Sequence, residues 1–339
     1  MSSRALRHGL GWLLLAAALG SILSVIAAQS ASLHHHTSQT FLYLGQGWSE
    51  YLERWDEPWV SRIGSTALGY WATDAPTVER FSVRVGWWVA LWFVAISALW
   101  IGWLADWRLR ALAMLANFSA ITFAYLPVVL GGEATRIYPW DLPALFFMTL
   151  ALLLIERSAP LVISALVVFV GMFMKETVGI VFLLPLARKQ VRAAIFLLGA
   201  AVVGRVLAKT ITGWQPGFVE LVGYCSPQEP NALRIWYNLR YCLQWEHAFH
   251  PLFTNAGWLL AAPLFMKKSG RPMLLLLAGF AALTLLCGVI HEYRIWLEAM
   301  PMALLLAGLG RERELLSLRG DPTIPAMSSI REDSQGEKS

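Results

Sequence analysis

Apolar runs of helical length recur along the whole chain, separated by short charged connections. They fall at 9–28, 85–104, 111–130, 140–155, 160–174, 178–187, 193–208, 252–266, 273–290 and 296–309. An α-helix rises 1.5 Å per residue, so roughly 20 apolar residues cross the hydrocarbon core of a bilayer, and several of these runs are shorter. The pattern predicts an all-α integral membrane protein of about ten transmembrane helices. The first run follows Arg4, Arg7 and His8. It is longer than the roughly 7–15 residues of a signal-peptide core, so it reads as an uncleaved helix with its N-terminus in the cytoplasm.

The connections set the topology. With about ten spans, alternate linkers carry Arg108 and Arg110, then Arg157, then Arg188, Lys189 and Arg192, then Lys267, Lys268 and Arg271, and finally Arg311 and Arg313. These clusters all fall on one face, as the positive-inside rule requires, which places both termini in the cytoplasm of a cell whose plasma (inner) membrane holds the chain. Two long extracytoplasmic segments, 29–84 and 209–251, lie on the other face. Each reads as containing an interfacial helix. Asp56-Glu57-Pro58 is a helix start, followed at helical spacing by Trp59, Ile63, Ala67 and Tyr70. Asn231 is placed to cap a helix bearing Leu233, Trp236, Tyr237 and Tyr241. Such helices either lie at headgroup level or roof a cavity and steer a lipid into it. The expected organisation is a transmembrane domain over 1–310 and a polar, disordered cytoplasmic tail over 311–339.

Composition agrees with this reading. The chain is 57% hydrophobic and 14% charged, with 17 Trp and a mean hydropathy of +0.54, too apolar for a soluble domain of its length. A formal charge of +5 raises the question of nucleic acid, but the basic residues sit in short clusters between apolar runs, as topology signals do. Nucleic-acid binding is therefore not expected. Cys287 lies in an apolar run, whereas Cys225 and Cys242 share a polar segment and pair only if it faces an oxidising compartment. No metal-ligand spacing or glycine-rich phosphate loop is present, so no metal or cofactor is expected, and His34 to His36 receive no role.

Charge inside an otherwise apolar region is costly and tends to mark function. Three junctions concentrate it: Arg136, Tyr138 and Asp141; Lys175 and Glu176; and His291, Glu292 and Arg294, with Glu298 just beyond. The run 178–187 is about half a bilayer span, which sinks Lys175 and Glu176 below the outer surface and predicts a polar cavity open to the outside. Arg136, Lys175 and Arg294 are then cations suited to a lipid-linked phosphate. The plainer alternatives are that Lys175 and Glu176 pair with each other or snorkel, or that Asp141, Glu176, Glu292 and Glu298 neutralise the cations in a structural network. Arg205 and Lys209 can join either arrangement. Glu50, Glu53, Asp56 and Glu57 supply carboxylates, of which Asp56 or Glu57 is the candidate general base.

The stretches RIYPWDLPALFF (Arg136 to Phe147), MKETVGIVFLLP (Met174 to Pro185) and EYRIWLEAMP (Glu292 to Pro301) resemble the GT-C superfamily, the multi-pass glycosyltransferases that use polyprenyl-phosphate-linked sugars. Glu57-Pro58-x-x-x-Arg62 is a weaker fourth point of similarity. The likeness is to small bacterial members. It implies transfer of a sugar from a polyprenyl-phosphate donor at the extracytoplasmic face, with Asp56 or Glu57 as the catalytic base. It also implies Arg136, Lys175 and Arg294 on the lipid phosphate, in the cavity that the charged junctions predict, lined by Tyr138, Asp141, Glu176, His291, Glu292 and Glu298. The partners are the polyprenyl-phosphate-linked sugar and membrane lipids. Two other readings use the same charges: a transporter or lipid flippase, and a non-catalytic membrane assembly protein of the same fold.

Overall fold

The computed structural model describes residues 3–33, 64, 77–104, 106–129, 141–211, 271–287 and 297–306. Among them every regular element is helical: α1 Ser3–Leu33, α2 Val78–Trp103, α3 Trp107–Val129, α4 Asp141–Glu156, α5 Leu161–Met174, a 3-10 segment Glu176–Phe182, α6 Leu183–Ala187, α7 Val191–Ile211, α8 Arg271–Cys287 and α9 Leu297–Leu306. Gly9–Ser32, Val78–Trp103 and Val191–Ile211 are long and apolar enough to cross a membrane. The tail after 306 and most of both long polar segments lie outside the described residues.

Local chemistry accounts for the helix ends. Thr77 caps α2 by accepting the Arg80 N–H at 3.4 Å, and Glu79 adds an anion in the first turn. Asp106 accepts from the Arg108 N–H at 2.9 Å at the head of α3. At the far end of α4 the Ala159 N–H reaches Leu154 O and the Ser158 N–H reaches Ile155 O, with Ser158 at a φ of 52°. The same pair of bonds, Gln190 to Pro185 O and Lys189 to Leu186 O, closes α6 with Lys189 at 62°. Both are Schellman stops, and each places an arginine, Arg157 or Arg188, beside a helix C-terminus where a cation is favoured.

The helices alternate in direction, and two ends of the bundle result. Gly20 of α1 meets Ala90 and Val94 of α2, while Gly86 meets Ser24 and Ala28, so α1 and α2 are antiparallel. The α2 and α4 helices run side by side in the same sense, with Trp92 and Phe146 rings 5.4 Å apart and the Arg157 guanidinium donating to Gly102 O at 3.0 Å. That guanidinium also stacks on Trp103 at 4.4 Å. Arg110 donates to Leu104 O at 2.6 Å, and Arg188 pairs with Glu156. Arg110, Arg157 and Arg188 therefore gather at one end of the bundle, as the alternating linkers required.

The reversal between α5 and the 3-10 segment takes a single residue. Lys175 is fully extended, with φ −165° and ψ 141°, and its N–H still bonds Gly171 O at 2.9 Å. The returning chain packs so tightly that a Cβ on Gly171 would lie 2.5 Å from Val178 Cγ1. The run 178–187, expected as a short α-helix, begins instead as a 3-10 helix. At about 2.0 Å per 3-10 residue and 1.5 Å per α residue, the return leg covers about 21 Å, the same as α5. Fewer residues thus match the length of the neighbouring helix.

The core joins Leu23, Val89, Phe93, Trp100, Leu145, Met148, Val181, Phe280 and Met300 into one apolar cluster. Leu14, Val25, Ile195 and Val203 instead point outward. An apolar exterior on α1 and α7 suits lipid better than water. Of Gly20 and Gly86, which both face the α1–α2 packing, Gly86 has less room: an added Cβ would meet Ser24 O at 2.5 Å, and backbone cannot yield as a side-chain tip can. Gly86→Val is expected to cost about 1–3 kcal/mol by overpacking. A lowered melting temperature in detergent would register it, with Gly102→Ala, where the added Cβ meets open space, as the control.

Candidate functional site

Opposite the basic end, three helix termini converge on Lys175. Asp141 is the first residue of α4, Lys175 follows the last residue of α5, and Glu298 sits in the first turn of α9. The Lys175 Nζ donates to Asp141 Oδ1 at 3.0 Å and to Glu298 Oε1. Relative exposures are 0% for Asp141, 4% for Lys175 and 1% for Glu298, so the triad is enclosed. Each charge also suits its own helix end: carboxylates at two N-termini, an ammonium at a C-terminus.

Formal charge decides what the triad can do. Two carboxylates surround one ammonium, so with all three ionised the cluster carries a net negative charge. Lys175, expected to hold a lipid phosphate, is neutralised by Asp141 and Glu298 in the structure. It is also not paired with its neighbour Glu176. That carboxylate lies 3.8 Å from Arg205 on α7, a long pair whose Glu176 side is about one-third exposed and which contributes little. Lys209, one turn further along α7, is buried.

The structure thus brings together Asp141, Lys175 and Glu298 and puts Glu176 beside them. Asp56, Glu57, Arg136, Tyr138, His291, Glu292 and Arg294 lie outside the described residues. Gly64, from the middle of the first long segment, is described at this end, where a Cβ on it would lie 3.0 Å from Phe173 Cβ and 3.2 Å from Met174 Cε. Thr177 escaped the sequence reading. It stands beside Glu298, close enough for its hydroxyl to donate to that carboxylate, and neither Thr177 Oγ1 nor Glu298 Oε2 has another partner among the described residues. Its place two residues after a buried lysine was the only available hint. No group of three or more His, Cys, Asp or Glu suited to a metal occurs among the described residues.

Removing one partner of such a cluster leaves an uncompensated buried charge. Lys175→Met is expected to cost about 3–5 kcal/mol, while neutralising the carboxylates as well, in Lys175→Met/Asp141→Asn/Glu298→Gln, should recover most of the loss. Thermal unfolding of the detergent-solubilised variants checks both. Equal stability of wild type and Lys175→Met would mean that the triad contributes nothing.

Comparison with protein-family models, with curated proteins and with solved structures finds no match for this chain.

Proposed function

We propose that this protein is a multi-pass membrane glycosyltransferase of the GT-C type, taking a sugar from a polyprenyl-phosphate donor at the extracytoplasmic face. The observation that carries the reading is the convergence of Asp141, Lys175 and Glu298. Each comes from a different one of the three stretches that resemble the superfamily, and they meet at one point although they are far apart in sequence. Arg136 precedes Asp141 by five residues and Arg294 precedes Glu298 by four, so both arginines are tied to the triad by short tethers.

In this reading the chain has about ten spans, and the basic end of the bundle faces the cytoplasm. The α5 leg of about 21 Å is shorter than a hydrocarbon core of about 30 Å, which recesses the triad below the outer surface. Arg136 and Arg294 hold the donor phosphate in bidentate fashion, and Lys175, clamped between carboxylates, anchors the floor of the site. The contact of Gly64 with Phe173 and Met174 supports a place for the first long segment at this end of the bundle. Asp56 or Glu57, seven or eight residues before Gly64, takes the proton from the acceptor hydroxyl as it attacks the sugar carbon. The bond to the phosphate breaks, and the departing anion is stabilised by the fixed arginines.

One observation favours a second reading, a transporter or flippase: the helical run after Lys175 is broken into 3-10 and α parts beside a buried charge cluster, as in many carriers. The two readings separate in proteoliposomes, where a transporter accumulates its substrate without covalent change.

For the transferase, Arg136→Ala and Arg294→Ala should each abolish sugar transfer while membrane expression and melting temperature stay at wild-type level. Comparing lipid-linked sugars and glycans from cells carrying wild type, each variant or no protein supplies the readout. Wild-type glycan profiles in both variants would end the proposal.

A further inference from the structure

At the basic end of the bundle, two guanidinium groups sit on one helix C-terminus. Arg110 donates through Nε to Leu104 O at 2.6 Å, and Arg157 donates through Nη2 to Gly102 O at 3.0 Å while stacking on Trp103 at 4.4 Å. Those two carbonyls close α2 and lie two residues apart, so both cations are held at one turn. Neither has a carboxylate within ion-pair reach among the described residues. Glu156 is taken by Arg188, and Asp106 accepts from the Arg108 N–H, with the Arg108 guanidinium over the Trp107 ring at 5.5 Å. A guanidinium carries five N–H donors, so Arg110 keeps both Nη groups and Arg157 keeps Nε and Nη1 for a further acceptor. The partial negative charge of about one half at the end of α2 offsets little of their two positive charges. There is room beside them: a Cβ on Gly102 would meet nothing within 4 Å.

Two forks of spare donors beside open space suit a phosphate, whose oxygens accept from both at once. The surroundings select a lipid over a free anion. Trp107, one turn before Arg110 on α3, is 61% exposed, and deeper along the same helix Leu112 and Leu115 face outward. On α5, which follows Arg157, Val162 and Leu166 do the same. Tryptophan and arginine above an apolar belt mark the level of headgroups with acyl chains beneath, and basic recesses between membrane helices hold anionic headgroups. We infer that Arg110 and Arg157 form a binding site for the phosphate of an anionic phospholipid, with Trp103 and Trp107 at headgroup level. The inference uses the membrane character of the chain and is independent of the transferase reading.

The test titrates the detergent-solubilised full chain with phosphatidylglycerol, phosphatidylethanolamine or inorganic phosphate and counts bound lipid by native mass spectrometry. Wild type is expected to bind phosphatidylglycerol about tenfold or more tightly than phosphatidylethanolamine, because each arginine near an anionic lipid contributes about fivefold. Inorganic phosphate should not displace the lipid. Arg110→Gln/Arg157→Gln should cut the preference to about twofold or less. Lys189→Gln/Arg192→Gln removes the same charge from exposed positions at the same end and should leave the preference as it is. Should the first double variant fail to fold, Arg157→Gln alone, at an exposed position, should cut the preference about fivefold. Equal losses in the two double variants would mean diffuse attraction and overturn the site. Wild type that binds the two lipids alike would do the same, as would full preference in Arg157→Gln, which would leave that arginine only its bonds to the end of α2. Displacement by inorganic phosphate would make a free anion the ligand and overturn the lipid assignment.

Discussion

Burying the Lys175 ammonium is the constraint on which the rest of this fold depends. An isolated charge in an apolar helix bundle is prohibitively costly, so the chain must deliver counter-charges to that point. It does so with Asp141 and Glu298, which begin two other helices. Once those contacts are required, the heads of α4 and α9 and the tail of α5 must stand at one level. Alternating helix directions then follow, because α4 starts where α5 ends. The same geometry collects Arg110, Arg157 and Arg188 at the opposite end, where they bond helix C-termini or Glu156.

Small residues make the arrangement possible. Gly171 lets the 3-10 segment fold back directly after Lys175, and Gly204 lets α7 press against Phe169 O, which a Cβ would approach to 2.8 Å. Gly86 does the same for α1 against α2. Helices in lipid gain little from hydrophobic association, so close backbone packing of this kind supplies much of their cohesion. The 3-10 geometry contributes too, since its longer rise per residue lets the short run after Lys175 match α5 in length. Without that stretch the return leg would stop short of the basic end, and Arg188 would not meet Glu156.

The composition of the cluster limits what it can hold. A cluster with two carboxylates and one ammonium is poorly suited to an anionic headgroup and well suited to fixing three helix ends against one another. Thr177 closes against the Glu298 carboxylate, and the Glu176–Arg205 pair sits nearby in a wetter setting.

Much of this was legible in the chain. The spacing of apolar runs determined the helical character, and basic linkers determined which helix ends share a face, because periodicity and charge placement act locally. The reversal at Lys175 was visible as a charged break between two apolar runs. Asp141, Lys175, Glu176 and Glu298 stood out as charges in apolar surroundings. Their partners did not. Nothing in the order of residues says that Lys175 chooses Asp141 and Glu298 over adjacent Glu176, or that Thr177 joins them at the Glu298 carboxylate. Those choices depend on which side of an extended residue each side chain leaves and on how closely glycines let neighbouring helices approach. They are decided only when the helices pack, since long-range pairing is a property of three-dimensional distance and not of sequence separation.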